Sequence, residues 1–315
     1  MSSILFDSYH GLGDQVWLRP FIFEAKKKYD TVHVVTDFPG LLYDGTGIGP
    51  VYKKMNLKTQ TECARLECHK FVDMLPKYDR VLRPNYTAAF HADKNKTITR
   101  NIEEQIRITP REFHTLQIKE DWIKKARWLV RTEKPICFIR LPSVRDEWAN
   151  SSRNGKMAYF KYVIENMIGD ENFKVSSLDL RGGKEHLDGP MPKVDLQLHE
   201  NELGIDGMLG LLKISSFCVS IQCMTLPICA DIGTPLFIIY GGYAHHGFHA
   251  DPRLGLKKIV AVQPPVMCNC LLNKHTCNKD IDPGVLSRSF KHFMSTCVEA
   301  TKSDDLYAMR RKICA

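Results

Sequence analysis

The chain has 315 residues, 43% of them hydrophobic and 25% charged, which fits a folded globular protein and excludes a disordered or fibrous one. Its formal net charge of +8 and pI near 8.8 fit a polyanionic partner: nucleic acid, an anionic glycolipid or a nucleoside diphosphate. No apolar run reaches the roughly 20 residues of a membrane span, no basic-then-apolar leader is seen, and 11 cysteines, an odd number, argue against a disulfide framework. These features lead us to expect a cytoplasmic protein with no stable membrane insertion and mostly reduced thiols.

"SILFDS" reads as a short buried strand, "GDQVWLRPFIFEAKKKYD" as a helix and "TVHVVTD" as a second strand. Val16, Phe21, Ile22 and Ala25 give the helix an apolar side, and Lys26, Lys27 and Lys28 suit the negative end of its dipole. Pro20 is expected about one turn from the start of that helix, where it removes little backbone bonding. A strand-helix-strand opening points to a doubly wound parallel sheet. "TECARLECHKFVDMLPKYDRVL" reads as a helix leading to a strand, with Cys63 and Cys68 as packing residues, and "EDWIKKARWLVRTE" as an amphipathic helix.

Pro135 and the charges before it read as a linker, after which the α/β pattern restarts. "KPICFIRLPS", "FKVSSLDL", "SFCVSIQC" and "TPLFIIYGG" read as strands; "GIDGMLGLLKIS" and "LPICADIG" read as helices. "SDDLYAMRRKICA" has a Ser303 cap, acids in its first turn and bases in its last, and reads as a closing helix. The expected fold class is therefore α/β, with two Rossmann-like doubly wound units facing a central cleft. The expected boundaries are 1–133, 134–300 and a C-terminal helix over 301–315 that packs back on the first unit. Ligands bind such sheets at the carboxyl ends of strands, so "GLGD" and "IQCMT" should both face the cleft. "GLGDQV" lacks the third glycine of the dinucleotide fingerprint, which argues against hydride transfer.

Three segments, in order, resemble one family. "GLGDQVWLRPFIFEAKKKY" is similar to the opening of glycosyltransferase family 9, which contains the lipopolysaccharide heptosyltransferases. "ISSFCVSIQCMTLPICADIGTPLFIIYGG" resembles that family's late strand-helix-strand segment, and "CNCLLNKHTCNKDIDPGVL" its cysteine-dotted tail. No motif covers residues from about 40 to 130. The resemblance implies a GT-B fold, an acceptor held by the first unit, a UDP- or ADP-sugar held by the second, and inverting transfer with no cofactor or metal. It also implies that Asp14 is the base, since a carboxylate within reach of the attacking hydroxyl takes its proton; the bland alternative is a helix cap. Gly11, Gly13 and His10 would form the acceptor-side loop.

The leaving diphosphate needs donors, and a helix N-terminus supplies free N–H groups and a positive dipole end. The candidates are Gln222, Cys223, Met224 and Thr225. Here the sequence departs from the family's Asp-Thr-Gly-x-x-His: Gln222 takes the Asp position, Met224 the Gly position and Pro227 the His position. The altered side chains put ADP-heptose as donor in question. Arg140, Arg145, Arg153 and Lys156 are basic candidates for phosphate, with Arg140 expected to reach the cleft from a strand end. Asp179, Leu180 and Gly242 would edge the donor pocket, with Glu202 or the backbone near Leu203 at the base and ribose. His245, His246 and His249 either line the cleft or sit in an ordinary loop. Cys268, Cys270, His275 and Cys277 are an irregular zinc candidate against a default of reduced loop cysteines.

Similar sequences occur in bacteriophages, where such enzymes are taken to decorate hydroxymethylated bases in DNA. The altered donor motif and the charges Arg83, Lys94, Lys96, Arg100 and Arg107 favour such a DNA acceptor, contacted through its phosphates in a host cytoplasm. The alternatives are a heptosyltransferase of lipopolysaccharide core synthesis and a nucleotide-sugar-binding protein that has lost catalysis. The sequence leaves the oligomeric state open.

Overall fold

The computed structural model describes residues 1–7, 11–51, 72–73, 75, 77–84, 96–113, 115–145, 154–180, 185–242, 246–249, 251–254, 258–266 and 277–297. In chain order the first half holds β1 (Ser3–Phe6), α1 (Leu12–Lys26), β2 (Thr31–Val35), α2 (Pro39–Leu42), β3 (Gly49–Val51), β4 (Arg80–Leu82), α3 (Ile98–Ile106) and α4 (Glu120–Val130). The second half holds β5 (Ile136–Arg140), β6 (Ser143–Arg145), α5 (Met157–Asn166), β7 (Phe173–Ser177), β8 (Glu185–Leu187), β9 (Leu196–Leu198) and α6 (Gly204–Ile214). It continues through β10 (Phe217–Ser220), α7 (Thr225–Ile232), β11 (Leu236–Ile239), α8 (His246–His249) and β12 (Ile259–Val262), and α9 spans 283–297.

The strands make two parallel sheets. The first runs β3-β2-β1-β4 and the second β12-β11-β10-β5-β7-β9. Numbered by its own strands, the second sheet has the 3-2-1-4-5-6 order of a dinucleotide-binding fold, and the first has its 3-2-1-4 part. Each order reverses between the unit's first and fourth strands: β1 and β4 in one sheet, β5 and β10 in the other. A small antiparallel pair, β6 with β8, lies beside the second sheet.

Apolar runs make the second sheet's central strands. Every residue of β5 is buried. Ile136 and Phe138 enter one core while Cys137 and Ile139 enter the other, the period-2 alternation of a strand covered on both faces. The first of these cores is continuous across both sheets, from Ile4 and Phe6 through α1 and α7 to Leu236 and Ile238. The two halves are thus packed together, with α1 lying against α7.

Two expectations are corrected by the packing. Pro20 lies about two turns inside α1 rather than one, counted from Leu12 at 3.6 residues per turn; buried contacts on both sides of Pro20 hold the helix through the lost bond. α4 falls on the first-unit side of the 133/134 boundary, yet it packs on α6. A Cβ on Gly210 would sit 2.1 Å from the Trp122 carbonyl oxygen, so only glycine admits this approach, and Lys125 pairs with Asp206 at 2.9 Å. The segment 301–315 lies outside the described residues.

Candidate functional site

Both motif loops sit at carboxyl ends of strands and meet across the two sheets. Gly11 is the N-cap of α1 in extended backbone, so the cap position has no side chain of its own to supply a hydrogen bond. Asp14 follows in the first turn, half-buried, where the helix dipole favours an anion. Between them, Gly13 faces α7: a Cβ there would lie 3.0 Å from the Met224 Cα and 3.3 Å from the Pro227 Cγ. The glycine lets the first turns of α1 and α7 touch, and Asp14 is the next residue of α1.

α7 begins at the switch point of the second sheet, just beyond β10. Met224 is its N-cap, in helical backbone with no side-chain cap bond. The first N–H groups of a helix have no intrahelical partner, and Pro227 falls where its missing N–H costs no ladder bond. The Thr225 hydroxyl is buried and meets the Cys223 thiol at 3.2 Å, and that thiol lies 3.5 Å from the Ser220 hydroxyl. The backbone at Met224 and Thr225, more than the Thr225 side chain, is therefore what α7 can offer an anion. Gly233 ends α7 at φ 77°, and the Thr234 hydroxyl donates to the Leu212 carbonyl at 3.0 Å. Gly-Thr-Pro is thus the structural turn from α7 into β11. Gly242, after β11, also takes a positive φ of 99°.

Arg140 finds its partners within its own unit. It ends β5 as expected, but its guanidinium turns onto its own unit and is buried. Nη1 donates to the Ser177 carbonyl at 2.8 Å and Nη2 pairs with Glu185. Removing either charge of such a buried pair is costly. The Lys156 ammonium pairs with Asp280 at the surface, ahead of α9. Asp179 and Leu180 follow β7, with the Asp179 N–H donating to Glu185 at 2.7 Å and the Leu180 N–H to the His199 carbonyl at 2.8 Å. Leu203 is buried as the N-cap of α6, and Glu202 accepts from the Glu200 N–H at 2.8 Å.

His249 packs between the halves. Its ring stacks 6.5 Å from Trp17 of α1 and 6.0 Å from Tyr240, whose hydroxyl is 3.3 Å from Nδ1. His10, Arg153 and His245 lie outside the described residues, as do Lys94, Cys268, Cys270 and His275; of Arg145 only the backbone, in β6, is described. Cys277 is exposed, and among the described residues no three metal-ligating side chains converge.

Three features carried no sequence signal. Asp7, buried at the end of β1, accepts from Arg83 Nε at 2.8 Å, and Arg83 also reaches Asp73 at 2.5 Å. The hydrogen bonds that Arg83 donates to Asp7 and Asp73 push its pKa up against the opposing effect of burial. Asp251, fully buried, accepts from Thr97 at 3.1 Å, from Thr99, and from Arg253 at 2.7 Å; Arg253 also pairs with Glu103 at 2.8 Å. Burial would raise the Asp251 carboxyl, but hydrogen bonds from Arg253 and Thr99 outweigh it and hold the pKa well below the usual range. Arg19, Thr115 and Asp231 form the third group. Lys96 pairs with Glu104 at 2.9 Å and Arg100 with Glu103 at 3.4 Å.

No family model matches the sequence, and no curated protein matches it. Solved structures do. E. coli ADP-heptose LPS heptosyltransferase II aligns with a TM-score of 0.58 over 96% of this chain and 100% of its own, at 11% identity. A glycosyl transferase family 9 structure from Veillonella parvula DSM 2008 aligns with a TM-score of 0.56 at 14% identity, over 83% of this chain and 85% of its own. The chain has the GT-B fold. The iron-containing dodecameric glycosyltransferase TibC from enterotoxigenic E. coli H10407 also aligns, with a TM-score of 0.52 at 11% identity, over 85% of this chain and 63% of TibC. At these identities the likeness is one of fold. No helix among the described residues is long and apolar enough to cross a membrane.

Proposed function

We propose that this chain is a glycosyltransferase that moves a sugar from a nucleoside diphosphate sugar to an acceptor hydroxyl with inversion. The observation that supports this reading is the contact of Gly13, the residue before the half-buried Asp14, with Met224 and Pro227 at the start of a helix that begins at a sheet's switch point. Asp14 takes the proton of the attacking hydroxyl, and the N-terminus of α7 receives the departing diphosphate. On this reading the first sheet holds the acceptor and the second holds the donor.

Arg140 then supports the donor floor by fixing β5, β7 and β8, and does not itself bind phosphate. TibC has been solved with ADP-D-β-D-heptose, which makes ADP-sugars the first donors to try and UDP-sugars the second.

For the acceptor, a hydroxymethylated DNA base remains the first candidate, through the chain's net charge of +8. The ion pairs of Arg83, Lys96 and Arg100 with acids reduce what those residues add to phosphate binding. Lipopolysaccharide core stands beside it because a structure of like fold is an LPS heptosyltransferase. The test is transfer from ADP-heptose and UDP-sugars to hydroxymethylated DNA, plain DNA and truncated lipopolysaccharide, with and without EDTA. A mass gain on hydroxymethylated DNA alone is expected. A gain on lipopolysaccharide alone moves the acceptor there, and no transfer with retained nucleotide binding leaves a binding protein.

A further inference from the structure

We propose that Arg19, Thr115 and Asp231 form a positioning relay that sets α7 against α1 and thereby holds the diphosphate-binding helix start at a fixed distance from Asp14. The inference rests on the glycosyl-transfer reading of that site.

Arg19 lies in α1 and is 2% exposed, the bulkiest of the fully buried side chains. Its Nε donates to the Thr115 hydroxyl at 3.2 Å and its Nη2 to the Thr115 carbonyl at 2.5 Å. Asp231 lies in the last turn of α7. One of its oxygens accepts from the Thr115 N–H at 3.0 Å and the Thr115 hydroxyl at 3.3 Å, and the other from the Leu116 N–H at 2.7 Å. Thr115 thus stands between the two charges, its hydroxyl accepting from one and donating to the other, as a single hydroxyl can. The guanidinium also lies over the rings of Phe23 at 4.8 Å and Tyr43 at 5.4 Å.

Burying two charges is a poor way to gain stability, since apolar side chains of similar volume fill such a place at less cost. The relay supplies direction instead. α1 and α7 already touch at their first turns, through Gly13, Met224 and Pro227. Arg19 lies five residues beyond Asp14 and Asp231 six beyond Thr225, roughly 8 Å along each axis. A second contact at that distance stops the two helices from rocking about the first. Transfer depends on such alignment, and a displacement of about 1 Å can cost on the order of 100-fold in rate.

The experiment compares the wild type with Asp231→Ala, Asp231→Asn and the double variant Arg19→Met/Asp231→Asn. Each is assayed for kcat and donor KM with ADP-heptose or a UDP-sugar and the acceptor the wild type uses, for ADP binding by calorimetry, and for Tm. Asp231→Ala is expected to lose about 10- to 100-fold in kcat, with donor KM and ADP affinity within about threefold. Asp231→Asn keeps one carbonyl acceptor and should fall between. The double variant removes both buried charges and is expected to regain Tm while kcat stays about tenfold low. Recovery of kcat together with Tm in the double variant overturns the relay and leaves a merely structural contact. A wild type that transfers no sugar removes the site reading itself, and the relay with it.

Discussion

At the carboxyl edge of the first sheet, α1 starts on two glycines and an acid, and the nearby base Arg83 is neutralised by Asp7 and Asp73. At the same edge of the second sheet, the strand-end base Arg140 is likewise consumed, by Glu185 and the Ser177 carbonyl, while α7 starts with no side-chain cap. The two edges share a four-strand order, and at each a described arginine pairs with acids, but they differ in what their helices present. One offers a carboxylate and the other backbone donors. A reaction that takes a proton on one side and releases a phosphate on the other needs that asymmetry.

The largest expected effect breaks the carboxylate side. Asp14→Asn should lower kcat by about 10²- to 10⁴-fold with nucleotide affinity within about threefold, measured by turnover and calorimetry. Normal turnover would make Asp14 an ordinary first-turn acid. Next comes the buried pair of the second edge. Arg140→Ala removes the cation beside the buried Glu185 carboxylate, at a cost of about 3–5 kcal/mol in denaturant unfolding. Arg140→Met/Glu185→Gln should recover most of that stability and keep nucleotide binding; loss of ADP affinity in the stable double variant would return Arg140 to the phosphate site.

A smaller change sharpens the contact between the edges. Gly13→Ala puts a methyl against the Met224 backbone, and such overpacking costs about 1–3 kcal/mol. Its kcat should fall while donor KM holds, and an unchanged enzyme would mean the first turns are not in tight contact. The smallest effect lies away from the site. Asp251 and Glu103 both have depressed pKa values in the folded chain, in each case because hydrogen bonds and Arg253 outweigh burial. Their contribution is present above the ordinary carboxylate range, near pH 4, and is lost as pH falls below it through the depressed folded values. Tm should therefore drop on acidification below about pH 4, and Asp251→Asn should flatten that slope; an unchanged slope would detach Asp251 from it.

Much of the strand and helix grammar was legible. β1, α1 and β2, and β5, β10, α7 and β11, are apolar runs bounded by polar residues or glycine, and local pattern is enough for them. α3 was hidden because its buried Ile98, Ile102 and Ile106 form a narrow stripe among charged residues. The loops "GLGD" and "CMT" could be placed at strand ends, and that both face one cleft followed from the doubly wound pattern. The fates of the bases could not be read in that way. Arg140 meets a partner 45 residues away, and Thr115 meets one 116 residues away. Pairings at that separation are set by tertiary packing, and a basic residue at a strand end looks the same whether it faces a ligand or a buried acid. The packing of Gly13 against Met224 and Pro227 explains why a glycine precedes Asp14.

The central claim is that the donor diphosphate rests on the first turn of α7 with Asp14 alongside. A crystal structure of the chain with ADP tests it most directly. The diphosphate is expected within hydrogen-bond reach of the Met224 and Thr225 N–H groups, on the side of α7 that faces Gly13 and Asp14. A diphosphate seated instead at the Asp7–Arg83 edge of the first sheet would contradict it.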